Sequence, residues 1–164
     1  MISNRPRRLD SASYIGLQRY VLTTCVALRQ RAFADSPLTI RVVERLLENA
    51  RRFDFAVHAY CVMPDHLHAL LEATSDASDF CAFVKRFKQT TGFEYCRRTR
   101  QRRLWQPGYH EHILRSDVAT DAVARYLLEN PIRAGLSSTL GEYPFAGSGV
   151  YSLEEFRHLW SEQA

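Results

Sequence analysis

The apolar positions of this chain follow two periods, and the switches between them predict the elements. Residues 18–28 (QRYVLTTCVAL) are rich in β-branched and aromatic side chains and read as a strand. Asp35, Ser36 and Pro37 read as a helix start, with a capping carboxylate and a proline just inside the first turn. The helix that follows carries Ile40, Val43, Leu46 and Leu47 on one face. Residues 53–63 (FDFAVHAYCVM) and 66–73 (HLHALLEA) are two further strands. Only Pro64 and Asp65 separate them, so an antiparallel hairpin is expected. A second helix is expected over 75–98, capped by Asp76 or Ser78, with Phe80, Phe83, Val84 and Phe87 as its apolar stripe. A fourth strand begins after Pro107 and Gly108. A third helix, opened by Asp117 or Thr120, ends just before Pro131, and a short last helix spans 152–161.

The order β-α-β-β-α-β-α suits an α+β, ferredoxin-like split βαβ fold: an antiparallel sheet of four to five strands, helices packed on one face, and a third helix following the fourth strand. The expected organisation is a flexible basic arm (1–13), one domain (14–147) and a C-terminal tail holding the short helix (148–164). No apolar run approaches the ~20 residues that a membrane span needs. The basic N-terminus is not followed by a signal-peptide core. The expected location is the cytoplasm, with no membrane partner and the four cysteines reduced.

The net charge is only +4, but the basic residues are clustered and are nearly all arginine. Two lysines, Lys85 and Lys88, stand against twenty arginines. Five of those arginines crowd into RRTRQRR: Arg97, Arg98, Arg100, Arg102 and Arg103. Arg5, Arg7 and Arg8 form a smaller cluster. The planar guanidinium fork matches phosphate oxygens, so these groups, with Lys85 and Lys88, are candidate nucleic-acid contacts. Trp105, Tyr109 and Phe145 are candidate stacking platforms for unpaired bases.

The third strand raises a sharper question. His66 and His68 are two apart, so both project to one face while Leu67 points to the other. Two neutral imidazoles so placed are able to hold one divalent metal, with a third ligand from elsewhere. A second such pair, His110 and His112, sits on the fourth strand, and His58 lies on the adjacent strand; spacing alone does not choose among them. Tyr126 and Asn130 are four apart on the third helix and share a face. An Asn carbonyl is a hard oxygen ligand suited to Mg²⁺ or Mn²⁺. A tyrosine beside such a metal is able to attack a phosphodiester. The alternative for Tyr126 is a buried aromatic whose hydroxyl bonds a neighbour.

MPDHLH (63–68), LWQPGYHEHILR (104–115) and RYLLENPIRAGL (125–136) resemble, in order and spacing, the REP-associated tyrosine transposases of the insertion-sequence-200-like branch of the HUH nucleases. The resemblance covers roughly residues 15–147. It implies metal ligation by His66, His68 and Asn130, with Tyr126 as nucleophile, and the ferredoxin-like fold. It further implies cutting and rejoining of single-stranded DNA at REP-like hairpins through a covalent 5′-phosphotyrosine, with Mg²⁺ or Mn²⁺, by a monomer in preference to a dimer. Asp65 departs from the Asn that many relatives carry. It is expected to sit in the turn, pointing away from the imidazoles and leaving the metal site undisturbed, though it is a candidate for active-site support. His112 matches a recurring family position and is a second candidate for such support. Two other functions stay open: a catalytically silent single-strand binding module, and a metal-dependent phosphodiesterase that uses water.

Overall fold

The structure, a computed structural model, describes residues 10–161. The basic arm with Arg5, Arg7 and Arg8 lies outside them. Strand β1 (Arg19–Cys25) leads to α1 (Ser36–Arg52), β2 (Phe55–Met63), β3 (His66–Ala73) and α2 (Phe80–Thr99). Then follow β4 (His110–Leu114), α3 (Asp117–Leu128), the one-turn α4 (Asn130–Arg133), the two-residue β5 (Ala146–Gly147) and α5 (Leu153–Ser161).

The two-residue connection fixes the centre of the sheet. Met63 pairs with His66 across the Pro64–Asp65 turn, and β2 and β3 run antiparallel from there. The full order is β4-β1-β3-β2-β5, with every pairing antiparallel. Its first four strands are in the order expected of a split βαβ sheet.

Alternation then sends side chains to two different layers. Leu67, Ala69 and Leu71 of β3 and Tyr20 and Leu22 of β1 are fully buried against α1 and α2. Phe80, Phe83 and Phe87 of α2 supply the facing aromatics, and Phe80 stacks on Tyr20 at 4.1 Å between ring centres. Burying side chains of this size stabilises by roughly 1.5–3 kcal/mol each, so this layer carries the fold. Helices α1 and α2 therefore cover one face, as expected. Helix α3 follows the fourth strand, as expected too, but it lies across the opposite face. Its Ala124, Leu127 and Leu128 pack there on Ala59 and Leu70, joined by Phe156 of α5. His66 and His68 share that second face with Leu70.

The helix starts differ from expectation at two points. Asp35 caps α1, accepting from the Leu38 amide at 3.3 Å. The cap of α2 is Asp79, accepting from Ala82 at 2.9 Å, because Ser78 is buried and donates to the Asp54 carbonyl. Ser116, not Asp117 or Thr120, caps α3 through the Ala119 amide. Helix α2 runs to Thr99, so Arg97 and Arg98 form its last turn. Cations there oppose the negative end of the helix dipole. Among the described residues no helix is long and apolar enough to cross a membrane.

Candidate active site

The middle strand β3 holds both imidazoles in front of α3, and their ring centres are 4.7 Å apart at an interplanar angle of 83°. Each ring is oriented through Nδ1. His66 Nδ1–H donates to Asp65 Oδ1 at 2.6 Å, and His68 Nδ1 lies 2.8 Å from Thr23 Oγ1 on the paired strand β1. Both Nε2 atoms are thus the ones left to act as ligands, the arrangement in which a partner on one ring nitrogen sets the tautomer for metal binding by the other. Burial pushes His68 down to about 4, with His66 and the Arg29 cation adding to the shift, so this ring is neutral and keeps its lone pair. The pair fits a divalent metal in its donor set.

Asp65 does not point away from the imidazoles, as the sequence had suggested. The turn brings its carboxylate onto His66, and Arg29 Nε closes on the other oxygen at 2.9 Å. Burial works against the Asp65 anion, but the His66 hydrogen bond and the Arg29 guanidinium hold its pKa below the ordinary carboxylate value. Arg29 reaches Asp65 from a turn in which Leu28 and Arg29 both take left-handed backbone angles (φ 56° and 55°).

Tyr126 is not a buried aromatic: it is 55% exposed on α3. The Arg133 guanidinium lies 3.9 Å from its ring centre, and Arg133 also donates to the Tyr126 carbonyl. The Arg133 charge opposes the burial that raises Cys61, the β2 partner of His68. Asn130 opens α4, where the chain stays helical through Glu129, so Tyr126 and Asn130 remain one turn apart. No hydrogen bond or ring contact joins Tyr126 or Asn130 to the histidines among the described residues. Nor does any group of three His, Cys, Asp or Glu side chains converge there to hold a metal.

The other candidates separate. His58 sits at a bulge in β2 near the far end of β3, bonded to Glu72, and takes no part in the His66–His68 pair. His110 lies opposite Thr23, in the cross-strand row of His68; His112 lies opposite Val21, one row further on. Trp105 is no stacking platform. It is 5% exposed, packs between Phe33 and Phe87, and donates its indole N–H to Thr91 at 2.8 Å. Tyr109 and Phe145 are half-buried against the main core. Lys88 donates to the Gln106 and Gly108 carbonyls and so pins the segment before β4. Arg98 pairs with Asp35 at 3.7 Å, Arg97 lies over Phe93, and Lys85, Arg100, Arg102 and Arg103 are exposed. Sequence reasoning missed Thr23, Arg29 and Arg133. Only Arg133 carried a signal, its place in the NPIR stretch after the tyrosine helix.

A histidine pair on the inner strand of a β4-β1-β3-β2 sheet, faced by a tyrosine helix, is found in a chain whose residues 15–130 match the family model of the IS200-like transposases; the protein belongs to that family. More narrowly, the chain is 23% identical over 92 residues to a REP-associated tyrosine transposase of Escherichia coli K12, a match covering 56% of this chain and 53% of that protein. It is 24% identical over 110 residues to a Haemophilus influenzae protein provisionally given the same designation, covering 60% and 62%. The chain thus spans about half to three-fifths of the curated relatives it matches. A solved structure described as a REP-associated tyrosine transposase bound to a REP hairpin superposes with a TM-score of 0.69 at 19% identity, covering 88% of this chain and 82% of that one. That likeness carries the fold.

Proposed function

We propose that this protein cuts and rejoins single-stranded DNA at REP-type hairpins, with Tyr126 as the nucleophile and Mg²⁺ or Mn²⁺ held by His66, His68 and Asn130. The observation that carries this reading is the common orientation of the imidazoles: both Nδ1 atoms are engaged, leaving two Nε2 atoms for one ion. A bound divalent ion supplies Lewis-acid polarisation of the scissile phosphate. The chain's own residues do the rest. The Tyr126 hydroxyl, on an exposed helix face, attacks phosphorus. The Tyr126 Oη–P bond forms as the P–O3′ bond breaks, and the phenol's proton ends on the departing 3′ oxygen by way of solvent. The product is a 5′-phosphotyrosine and a free 3′-OH. The phosphodiester energy is retained, so a 3′-OH attacking the same phosphorus rejoins the strand.

A labelled hairpin from the gene's own flanks, incubated with Mg²⁺ or Mn²⁺ and run on a denaturing gel beside Tyr126→Phe, tests this. A slow covalent species, lost in the variant and with EDTA, supports it. Metal-dependent cleavage without an adduct points instead to water as nucleophile. Tight binding with neither points to a silent binding module.

A further inference from the structure

A second concave feature lies next to the turn that carries Arg29 and takes no part in the chemistry above. A cleft of about 510 Å³ opens between the 26–30 turn and the 101–107 segment. That lies within the range of small-ligand sites, roughly 300–1,000 Å³, and is ample for one planar heterocycle. Its base is tied on both sides: the Ala27 amide donates to the Leu104 carbonyl at 2.7 Å, and the Gln106 amide donates to the Cys25 carbonyl at 2.8 Å. Val26 and Trp105 form a bridge between them. The Val26 amide also donates to the Asp65 carbonyl at 2.8 Å, which ties the strand end before the cleft to the residue preceding the first histidine.

Its lining is chemically specific. Gln30, Gln101 and Gln106 present side-chain amides that bond nothing among the described residues, and Arg102 and Arg103 have no ion-pair partner there. Among the described residues, no acidic side chain lines the cleft. Leu28 supplies an apolar wall and is 87% exposed. It is held at φ 56°, a conformation that disfavours a leucine. The Arg29 contacts to Asp65 and to Cys25 Sγ anchor that turn. A leucine forced outward beside free amides and free guanidiniums has the make-up of a nucleotide site. Amides offer both a donor and an acceptor to a base edge, the apolar wall takes the base face, and guanidiniums take the phosphate.

We propose that this cleft is a subsite for one unpaired nucleotide of the bound strand, its base against Leu28 and the glutamines, its phosphate on Arg102 and Arg103. The proposal rests on the single-strand reading above, and deepens it by placing a base-reading position outside the cleavage centre.

The test is an abasic scan. Each unpaired nucleotide flanking the stem of the labelled hairpin is replaced in turn by an abasic residue, and affinity is measured for the wild type, Leu28→Gly and Gln101→Ala/Gln106→Ala. One flanking position is expected to lose about tenfold in the wild type, a loss of about 1.4 kcal/mol. That loss should shrink to under twofold in both variants. Arg102→Ala/Arg103→Ala should lower the salt dependence of binding without abolishing the sensitive position. Leu28→Gly guards against misfolding, because glycine tolerates the left-handed backbone and the variant should melt no lower than the wild type. A flat scan, or a sensitive position that survives in Leu28→Gly and the double glutamine variant alike, overturns the subsite while leaving the transposase reading standing. Failure of the wild type to bind the intact hairpin overturns both.

Discussion

Arg133 lies over the ring of Tyr126 at 3.9 Å and at the same time donates to that residue's own carbonyl. Its guanidinium is further steadied by Glu129 at 3.6 Å, and Glu129 also accepts from Arg125. One side chain thus fixes both the ring and the helix end of an otherwise exposed tyrosine. A cation over an aromatic face contributes about 0.5–2 kcal/mol, according to its exposure.

Removing it should therefore slow the step that depends on where the phenol sits. Arg133→Ala is expected to lower the single-turnover rate of covalent adduct formation about threefold to thirtyfold, with hairpin affinity unchanged. Arg133→Lys, which keeps the charge but loses the planar fork, should recover part of the rate. An equal loss in affinity and rate would make Arg133 a DNA contact, not a residue that positions Tyr126.

The Asp65–His66 contact predicts a metal-binding phenotype. The carboxylate accepts from Nδ1–H and so holds Nε2 in its ligating form, and partners of this kind are worth about tenfold to a hundredfold in metal affinity. Mn²⁺ titration followed by electron paramagnetic resonance should show that loss in Asp65→Ala. Asp65→Asn, whose amide oxygen still accepts, should lose less, and His68→Ala should abolish the site. Wild-type affinity in Asp65→Ala would reduce the carboxylate to a turn residue.

The parts of this architecture that were legible in the sequence are those set by local rules. A two-residue turn between alternating runs dictates the β2–β3 register, and a spacing of two puts His66 and His68 on one face whatever the rest of the chain does. The helix stripes were equally local. What escaped depends on contacts distant in sequence or on backbone that no residue type announces. Trp105 looked like a stacking platform until α2 placed Thr91 within reach of its indole and Phe87 against its ring. Arg29 reaches Asp65 only because Leu28 and Arg29 adopt left-handed angles where no glycine marks the turn. The sequence places Asp65 in the turn but leaves open where its carboxylate points, because a strand-and-turn pattern does not determine the side-chain rotamer. The opposite placement of α3 was hidden for another reason: its apolar residues show that it packs on a sheet, not on which face.

Glu72 predicts how stability depends on pH. Burial works against its charged form, but hydrogen bonds from His58 and Arg19 outweigh this and hold its pKa below the ordinary value. A depressed carboxylate contributes stability that is present above the unfolded-state pKa and is lost as pH falls through the folded-state value. Glu72→Gln should therefore be less stable than wild type at pH 7 by about 1 kcal/mol, a size typical of partly exposed pairs. Urea unfolding over a pH series should show that gap closing on the acid side of the carboxylate range. A gap independent of pH would mean that the glutamine is destabilising for steric reasons.

Trp105 separates core from interface by experiment. Its indole N–H bonds a buried threonine, and its ring fills the space between Phe33 and Phe87 beneath the Arg-rich segment. Trp105→Phe removes the donor and some volume, and should lower unfolding free energy by about 1–2 kcal/mol, the sum of a lost neutral hydrogen bond and a small cavity. Because no face of the ring is open to a base, affinity for a single-stranded hairpin should stay within twofold of wild type when measured well below the variant's melting temperature. Alanine would confuse the comparison, since deleting a buried tryptophan removes roughly 3–5 kcal/mol and endangers the fold itself. A clear affinity loss in Trp105→Phe at wild-type stability would show that the 101–107 segment opens on binding and offers the indole to DNA.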